Sequence, residues 1–315
     1  MSPPPFINGK ICLVTGSTSG IGKEIAAGLA KHGGSVVLIG RERSRCEAAA
    51  KEIRRRVGRE DDNVDDDDGG SSSNNNNNND NINHSTVTYL VADLSLQSSV
   101  RNLAREFKER YKRLDILINN AGVFRARREL TEDGIESTFA VNHLAPFLLT
   151  NLLIDMLKSS GGQSRIVTTS SIAHRGARID FDDLSFKHRR YNGISAYGQS
   201  KLANILFTKE LARRLEGSNV TANCFHPGAV RTGLAQKNNN PWYYRLVWQA
   251  GSPFFLSPEK GADTGIYLAT SPDLGAVSGK YFVKRREAIP SREARDPNVA
   301  ARLWAVSEEL TGIKT

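Results

Sequence analysis

Cysteine is scarce in this sequence, and the few cysteines are far apart. Cys12, Cys46 and Cys224 form no CxxC pair, which excludes a disulfide framework and argues against a zinc site. No group of histidine, cysteine and carboxylate side chains has metal-ligand spacing either, so we expect no metal. A reducing compartment fits this pattern, and we expect a cytoplasmic protein.

Long apolar runs are also missing. Residues 1–10 lack the apolar stretch of a signal peptide or membrane anchor. No window reaches the roughly 18 uninterrupted apolar residues of a membrane span. We therefore expect a soluble protein whose contact with a membrane, where it has one, is peripheral.

Positive charge predominates, with a net charge of +9. Residues 59–85 hold one arginine against eight acidic residues, so the rest of the chain is more basic still. Such a surface attracts anionic lipid or nucleic acid, or provides a positive field for a polyanionic cofactor. No basic helix with interleaved aromatics is present, so we expect no nucleic-acid partner.

One segment stands apart in composition. Residues 58–85 include four consecutive aspartates and six consecutive asparagines, with almost nothing apolar. A segment of this kind cannot bury enough surface to offset its ordering entropy. The sequence predicts a disordered insert here, without a catalytic role.

Elsewhere short apolar runs alternate with helical patterns, which is typical of a parallel sheet covered by helices. The pattern predicts a single doubly wound Rossmann α/β domain over residues 1–315, with about seven parallel strands and helices on both faces. The predicted strands are 10–14, 35–39, 86–91, 114–119, 165–169, 220–225 and 280–283. The predicted helices are 21–32, 43–57, 96–111, 134–157, 195–215 and 258–269.

A glycine-rich turn, TGSTSGIG at 15–22, joins the first strand to the first helix. Gly16 permits the sharp turn, Gly20 lets the backbone approach a pyrophosphate, and Gly22 lets helix and strand pack closely. The helix N-terminus presents N–H groups and a partial positive charge to phosphate. The alternative is an ordinary glycine turn. The predicted cofactor-binding residues of this turn are Gly16, Ser17, Thr18, Ser19, Gly20, Ile21 and Gly22.

The end of the second strand indicates the type of dinucleotide. NAD enzymes usually place an acidic residue there to bond the ribose 2′-hydroxyl. This chain has Gly40 followed by Arg41, with Arg43 close behind. A guanidinium without a neighbouring carboxylate at that position suits a 2′-phosphate, so we predict NADP(H) with Arg41 as a contact. The alternative is that the arginines only cap the next helix.

The sequence resembles the short-chain dehydrogenase/reductase superfamily in the glycine turn, in NNAG at 119–122, and in Asn142, Ser171, Tyr197 and Lys201. It resembles more closely the branch of retinol dehydrogenases and the WW-domain oxidoreductase. The segments that carry this likeness are VNHLAPFLLT at 141–150, SRIVTTSSIAH at 164–174, SKLANILFTKELARRL at 200–215, HPGAV at 226–230 and ARDPNVAARLWAVSEELTG at 294–312. The resemblance implies hydride transfer between a nicotinamide cofactor and a carbonyl or alcohol.

Tyr197 and Lys201 are four residues apart on a predicted helix, so they share one face. A tyrosine has an ordinary pKa near 10, too high for an efficient base at neutral pH. A lysine ammonium beside it favours the phenolate and can also bond the nicotinamide ribose. We predict Tyr197 as proton donor and acceptor and Lys201 as its partner; the alternative is two unrelated surface residues.

Two further catalytic residues follow from the resemblance. Ser171 ends the fifth strand, where its hydroxyl can steady the substrate oxygen. Ser170 is the rival, and the family pattern favours the second serine. Asn142 resembles the family residue that holds a water linking the lysine to solvent; the alternative is a buried amide at a helix break.

His174 and His226 are interpreted as structural neighbours rather than acid–base groups.

The resemblance also assigns cofactor contacts that follow the strand ends. Asp93 corresponds to the acid that bonds the adenine amino group, and Thr232 to a contact of the nicotinamide carboxamide. The remaining predicted contacts are Asn119, Ala121, Gly122, Pro227 and Gly228.

Residues 231–257 are rich in aromatic side chains and correspond to the segment that closes over substrate in this family. They predict a lid and a bulky apolar aldehyde, ketone, alcohol or retinoid-like substrate. The alternative is that they meet a membrane interface. We predict an NADP-dependent oxidoreductase; the alternative function is a non-catalytic NADP(H)-sensing module. The oligomeric state stays open.

Overall fold

Eight strands form one sheet in the structure, a computed structural model that describes residues 7–58, 86–230 and 255–315. The strands are β1 (Ile11–Thr15), β2 (Ser35–Gly40), β3 (Val87–Val91), β4 (Ile116–Asn119), β5 (Ser164–Thr169), β6 (Val220–His226), β7 (Tyr281–Val283) and β8 (Arg286–Glu287). Their order is β3-β2-β1-β4-β5-β6-β7-β8. Only the β7–β8 pair is antiparallel among these strands. The predicted doubly wound fold is confirmed, and β8 adds a short edge strand to the seven predicted ones.

Helices cover both faces of this sheet. They are α1 (Gly20–Lys31), α2 (Arg43–Arg56), α3 (Gln97–Arg110), α4 (Ser137–Phe139), α5 (Ala145–Lys158), α6 (Gly193–Arg214), α7 (Pro258–Thr270) and α8 (Pro297–Thr311). Adjacent residues in one strand point to opposite faces. In β1, Leu13 therefore joins the core cluster of α3, α5 and α6, whereas Val14 joins that of α1, α2 and α7. Burial on both faces explains why these strands read as continuous apolar runs.

The predicted helix 134–157 is interrupted. A single turn, α4, leads into a π-helical segment, Ala140–Leu144, and only then into α5. Pro146 has no N–H to donate to the carbonyl four residues before it, which favours a wider turn at this point. The π-helical segment places Asn142 in the interior.

The stretch Ser137–Lys158 is long and apolar enough to cross a membrane by length and composition. In the folded chain 78% of its most apolar window is buried. It packs against α3 and the sheet, so the fold accounts for its apolar character.

The helix α8 did not emerge from the periodicity of the sequence. It packs on α6, and its Trp304 lies edge-on to Phe147 at 4.9 Å and stacked on Phe207 at 5.8 Å between ring centroids. Asp296 caps its N-terminus by accepting hydrogen bonds from the backbone of residues 298 and 299. This helix closes the core beneath α5 and α6.

Two predicted segments lie outside the described residues. They are the disordered insert, 58–85, apart from Gly58, and the lid, 231–257, apart from 255–257. The assignment of residues 1–315 to one domain stays a prediction.

Truncation of Trp304 tests the role of α8 in stability. Trp304→Ala removes a buried indole from contacts with two helices, so we expect a loss of about 3–5 kcal/mol in the free energy of unfolding. Urea unfolding followed by circular dichroism measures it. Glu309→Ala, at an exposed position on the same helix, serves as the control and should cost less than about 0.5 kcal/mol. Equal losses in the two variants would contradict the prediction.

Candidate active site

The strand order reverses between β1 and β4, because β1 continues to β2 on one side and β4 to β5 on the other. Loops leaving the carboxyl ends of these two strands diverge to opposite faces and leave a crevice. The glycine turn follows β1, and the segment Asn120–Val123 follows β4. Both predicted parts of the cofactor site therefore lie at this crevice.

The glycine turn packs against the β4 loop at a distance that excludes side chains. Gly16 has a φ of +65°, and a Cβ there would lie 2.8 Å from Ala121 Cα. A Cβ on Gly22 would lie 2.4 Å from the Gly16 carbonyl oxygen. Gly20 also has a positive φ, +59°, where α1 begins. Each of the three predicted glycines therefore occupies a position that requires glycine, by packing or by backbone conformation.

Ser17 has a structural role within this turn. Its hydroxyl accepts a hydrogen bond from the Ile39 backbone at 2.9 Å and donates to the Val14 carbonyl at 2.8 Å. The Ser17 side chain is fully buried. It fixes the turn to β2 and does not reach the crevice, whereas Thr18 is partly exposed and Ser19 exposed before α1.

Asn120, which sequence reasoning passed over, joins the two loops. Its Nδ2 donates to the Thr15 carbonyl at 3.1 Å, and its backbone N–H donates to Thr15 Oγ1 at 3.0 Å. The predicted contact Asn119 is buried one residue earlier, and its Nδ2 donates to Thr150 Oγ1 at 3.0 Å. The second asparagine of the NNAG motif therefore faces the glycine turn, and the first faces the core.

The end of β2 has no room for a carboxylate. A Cβ on Gly40 would lie 2.4 Å from Thr18 Cγ2 and 2.7 Å from Cys46 Sγ. Arg41 follows, exposed, and has no ion pair with the described carboxylates. In contrast, Arg43 donates to the Tyr89 hydroxyl at 3.2 Å and Arg45 pairs with Glu42 at 3.5 Å. Arg41 therefore stands exposed one residue after Gly40, which packs against Thr18 of the glycine turn.

Asp93 lies just after β3 and is partly exposed. Its Oδ1 accepts hydrogen bonds from the Ser95 backbone at 2.8 Å and the Ser95 hydroxyl at 2.7 Å. These bonds hold the carboxylate at the carboxyl edge of the sheet.

Ser171, Tyr197 and Lys201 come together at the end of β5. The Ser171 hydroxyl lies close enough to the Tyr197 phenol to lower its pKa. The Lys201 ammonium lies 5.5 Å from the centroid of the Tyr197 ring and donates to the Thr169 carbonyl at 3.1 Å. The neighbouring Ser170 is buried and donates to the Lys201 carbonyl at 2.8 Å. Of the two serines, Ser171 therefore contacts the tyrosine.

Burial dominates the electrostatics of this cluster. Desolvation raises the pKa of Tyr197 to about 12, and the hydrogen bond with Ser171 opposes that rise. Desolvation lowers the pKa of Lys201 to about 8. The predicted lowering of the tyrosine pKa is therefore wrong for this structure, because burial raises it instead. At neutral pH the phenol carries its proton and the lysine is mostly charged.

Asn142 holds the β4 loop rather than facing open solvent. Its Oδ1 accepts from the Val123 backbone N–H at 2.7 Å, and its Nδ2 donates to the Val123 carbonyl and to Ser200 Oγ, both at 3.0 Å. A Cβ on Gly122 would lie 3.4 Å from Asn142 Oδ1 and 3.5 Å from Lys201 Nζ. The loop therefore crosses directly above the lysine.

Two other predicted residues lie just after β6. Pro227 and Gly228 are partly exposed, and Gly228 has a φ of +90°. The Gly228 backbone N–H donates to His226 Nδ1 at 3.4 Å. Thr232 lies outside the described residues. Phe124, which the sequence analysis did not single out, contacts the Tyr197 ring edge-on at 6.0 Å between centroids.

Comparison with known families finds a match to the family described as short chain dehydrogenase, over residues 10–68 and 70–242. Among curated relatives, human retinol dehydrogenase 13 is 45% identical over 311 residues, which is 98% of this chain and 86% of that protein.

Solved structures give the same picture. An uncharacterised protein from Mycobacterium paratuberculosis matches with a TM-score of 0.73 and 32% identity, covering 99% of this chain and 97% of its own. A short chain dehydrogenase from Burkholderia cenocepacia in complex with NADP matches with a TM-score of 0.63 and 26% identity, covering 88% and 96%.

The buried ammonium predicts a pH-dependent stability. The folded pKa of Lys201, about 8, lies below its ordinary value of 10.5, so the folded chain binds fewer protons than the unfolded chain between these values. Stability therefore rises with pH across this window, by up to about 3 kcal/mol. Urea unfolding of wild type and Lys201→Met at about pH 7 and about pH 10 isolates this contribution, because other groups cancel in the difference.

We expect wild type to gain stability relative to Lys201→Met as the pH rises. Lys108→Met, at an exposed position on α3, is the matched control and should show no such trend. A difference between wild type and Lys201→Met that is independent of pH would refute the assignment.

Proposed function

Since the chain belongs to the short-chain dehydrogenase family, an oxidoreductase family acting on CH–OH and C=O groups, we propose that it uses NADP(H) and a bulky apolar aldehyde, ketone or alcohol. The observation that carries this proposal is the cluster of Ser171, Tyr197 and Lys201 beside the crevice between β1 and β4. A binding module would have no need of a proton donor, a hydroxyl and a buried cation in one place.

The cofactor, when bound, supplies or accepts the hydride at the substrate carbon. Tyr197 holds the proton that the substrate oxygen receives during reduction, and its raised pKa keeps that proton in place at neutral pH. Ser171 is placed to hydrogen-bond the same oxygen. Lys201 contributes positive charge that stabilises the phenolate left after proton transfer. In the oxidation of an alcohol the same groups act in reverse, and Tyr197 accepts the proton.

Asn142 positions the β4 loop in this mechanism. By bonding both backbone groups of Val123, it fixes the segment that passes above Lys201. The water-holding role implied by the resemblance requires polar atoms beyond those bonds. The geometry supports the role of loop anchor more directly.

The residues around the glycine turn fit a dinucleotide with a 2′-phosphate. Glycines at 16 and 22 form a cradle that a Cβ would fill, and α1 begins beside it with N–H groups suited to a pyrophosphate. Because residue 40 is glycine, no carboxylate at this position repels a 2′-phosphate. Arg41 forms no ion pair with the described carboxylates, so a phosphate would not have to compete with one for its guanidinium. The Burkholderia cenocepacia dehydrogenase, solved with NADP, supports the same choice.

Three features support an apolar substrate. Phe124 provides an aromatic wall beside Tyr197. The similar proteins are named retinol dehydrogenases, after a largely apolar alcohol. The segment 231–257 contributes three tryptophan and tyrosine residues in succession at 242–244. A screen of retinal, medium-chain aldehydes, steroid ketones and quinones identifies the substrate class.

Removal of the phenolic hydroxyl tests the catalytic assignment. Tyr197→Phe should lower kcat by at least about 100-fold, because no group replaces the lost proton donor. NADPH affinity, measured by fluorescence titration, should change little. Tyr111→Phe, which removes a hydroxyl bonded to Thr88 far from the crevice, should leave turnover intact. An undiminished rate in Tyr197→Phe would defeat the mechanism, whereas a wild type that binds NADPH without turnover would favour the NADP(H)-sensing alternative.

Arg41→Ala tests the cofactor preference. A charged hydrogen bond to phosphate is worth about 1.5–3 kcal/mol, so KM for NADPH should rise by about 10–100-fold while KM for NADH stays unchanged. Arg45→Ala, which breaks only the pair with Glu42, is the control. A wild type that prefers NADH would overturn the assignment.

A further inference from the structure

His174 is buried directly behind the proposed catalytic serine. It ends a short 3₁₀ turn, Ile172–His174, that begins at Ser171. The turn packs tightly on α6, because a Cβ on Gly198 would lie 2.8 Å from the Ala173 carbonyl oxygen. Gly198 is the residue after Tyr197, so the turn and the tyrosine meet at one point of the helix.

The imidazole of His174 is bonded at both nitrogens. Nε2 accepts a hydrogen bond from the Ser291 backbone N–H at 3.1 Å, so Nε2 carries no proton. Nδ1 therefore carries the proton and donates to the Ser171 carbonyl at 2.7 Å. Burial lowers the pKa of His174, which maintains this neutral form. A single tautomer is thus selected by the backbone around it.

The Ser171 carbonyl receives a second bond from the same residue. The His174 backbone N–H donates to it at 3.2 Å. The Ser171 hydroxyl meanwhile accepts from the Ala173 backbone N–H at 3.2 Å and lies close to the Tyr197 phenol. The carbonyl of Ser171 is therefore held by the His174 side chain, and its hydroxyl by the backbone of its own turn.

We propose that His174 is a positioning residue, whose Nδ1–H bond to the Ser171 carbonyl sets the Ser171 hydroxyl against Tyr197 Oη. The inference rests on the proposed function, since it concerns the same reaction. It assigns the imidazole no proton transfer of its own. It also makes the segment around Ser291, between β8 and α8, part of the support of the catalytic serine.

Two isosteric substitutions separate the two bonds of His174. Asparagine places an amide N–H where the imidazole has Nδ1, so His174→Asn keeps the bond to Ser171 and loses that to Ser291. Glutamine reaches the position of Nε2, so His174→Gln keeps the bond to Ser291 and loses that to Ser171. Both variants lose the edge-on contact of the ring with Tyr281, at 5.1 Å between centroids.

The experiment measures kcat, KM for NADPH and thermal unfolding for both variants, in the wild-type and Ser171→Ala backgrounds. The assay is NADPH-dependent turnover, which Tyr197→Phe is expected to abolish. If Tyr197→Phe leaves turnover unchanged, the proposed function fails, and that result is separate from the comparison of the His174 variants. We expect His174→Gln to lower kcat by about 10–100-fold with KM for NADPH unchanged, and His174→Asn to retain most of the rate. In Ser171→Ala, where the hydroxyl is absent, His174→Gln should cost less than about 3-fold.

A purely structural histidine would behave differently. Equal losses of kcat in His174→Asn and His174→Gln, or a loss in His174→Gln of the same size in both backgrounds, would overturn the inference. If thermal unfolding shows that His174→Gln is too unstable for the comparison, His174→Asn tests the inference alone, because a folded His174→Asn must retain most of the rate. Full activity in His174→Gln overturns the inference as well.

Discussion

The close approach of the glycine turn to the β4 loop is the constraint on which the site depends. Gly16 packs on the backbone of Ala121 at a distance no side chain permits, and Thr15 and Asn120 bind the two loops together. One residue further, Gly122 crosses above Lys201. The position of the proposed catalytic lysine relative to the cofactor turn is therefore set by a chain of contacts only a few residues long.

The β4 loop covers the ammonium group of Lys201, and burying this positive charge lowers the stability of the fold. Lys201 is almost completely buried, and its lowered pKa expresses the free energy spent on desolvating the ammonium. The Thr169 carbonyl is the acceptor that the structure provides for it. Desolvation of a charged group is typical of active sites, where part of the stability of the fold is lost for the sake of the chemistry. The extensive apolar core on both sheet faces offsets this cost.

The sequence predicted the strands and the helix face of the site well, because burial or helix periodicity alone decides these features. Most of the seven parallel strands are buried on both faces, so their apolar runs identify them to within one or two residues. The spacing of Tyr197 and Lys201 placed them on one helix face. The sequence did not predict which way individual side chains point at the ends of the strands. Asn119 and Asn120 are neighbours in sequence, yet the end of β4 turns the first into the core and the second toward the glycine turn. No periodicity reveals that choice.

The groups that support Ser171 and Asn142 could not be predicted from the sequence, because they come from distant parts of the chain. The π-helical turn precedes Pro146, and its Asn142 binds Val123 in the β4 loop, a contact between residues 19 positions apart in the chain. The C-terminal region contributes at two places: Ser291 bonds His174 behind Ser171, and Ser307 of α8 bonds His143 at 2.8 Å, next to Asn142. Both serines act on residues adjacent in sequence or space to proposed catalytic groups. Residues 291–311 are therefore best understood as the rigid support against which the Ser171 turn and the Asn142 turn are held, because a preorganised site needs its supporting groups fixed as firmly as its reacting ones.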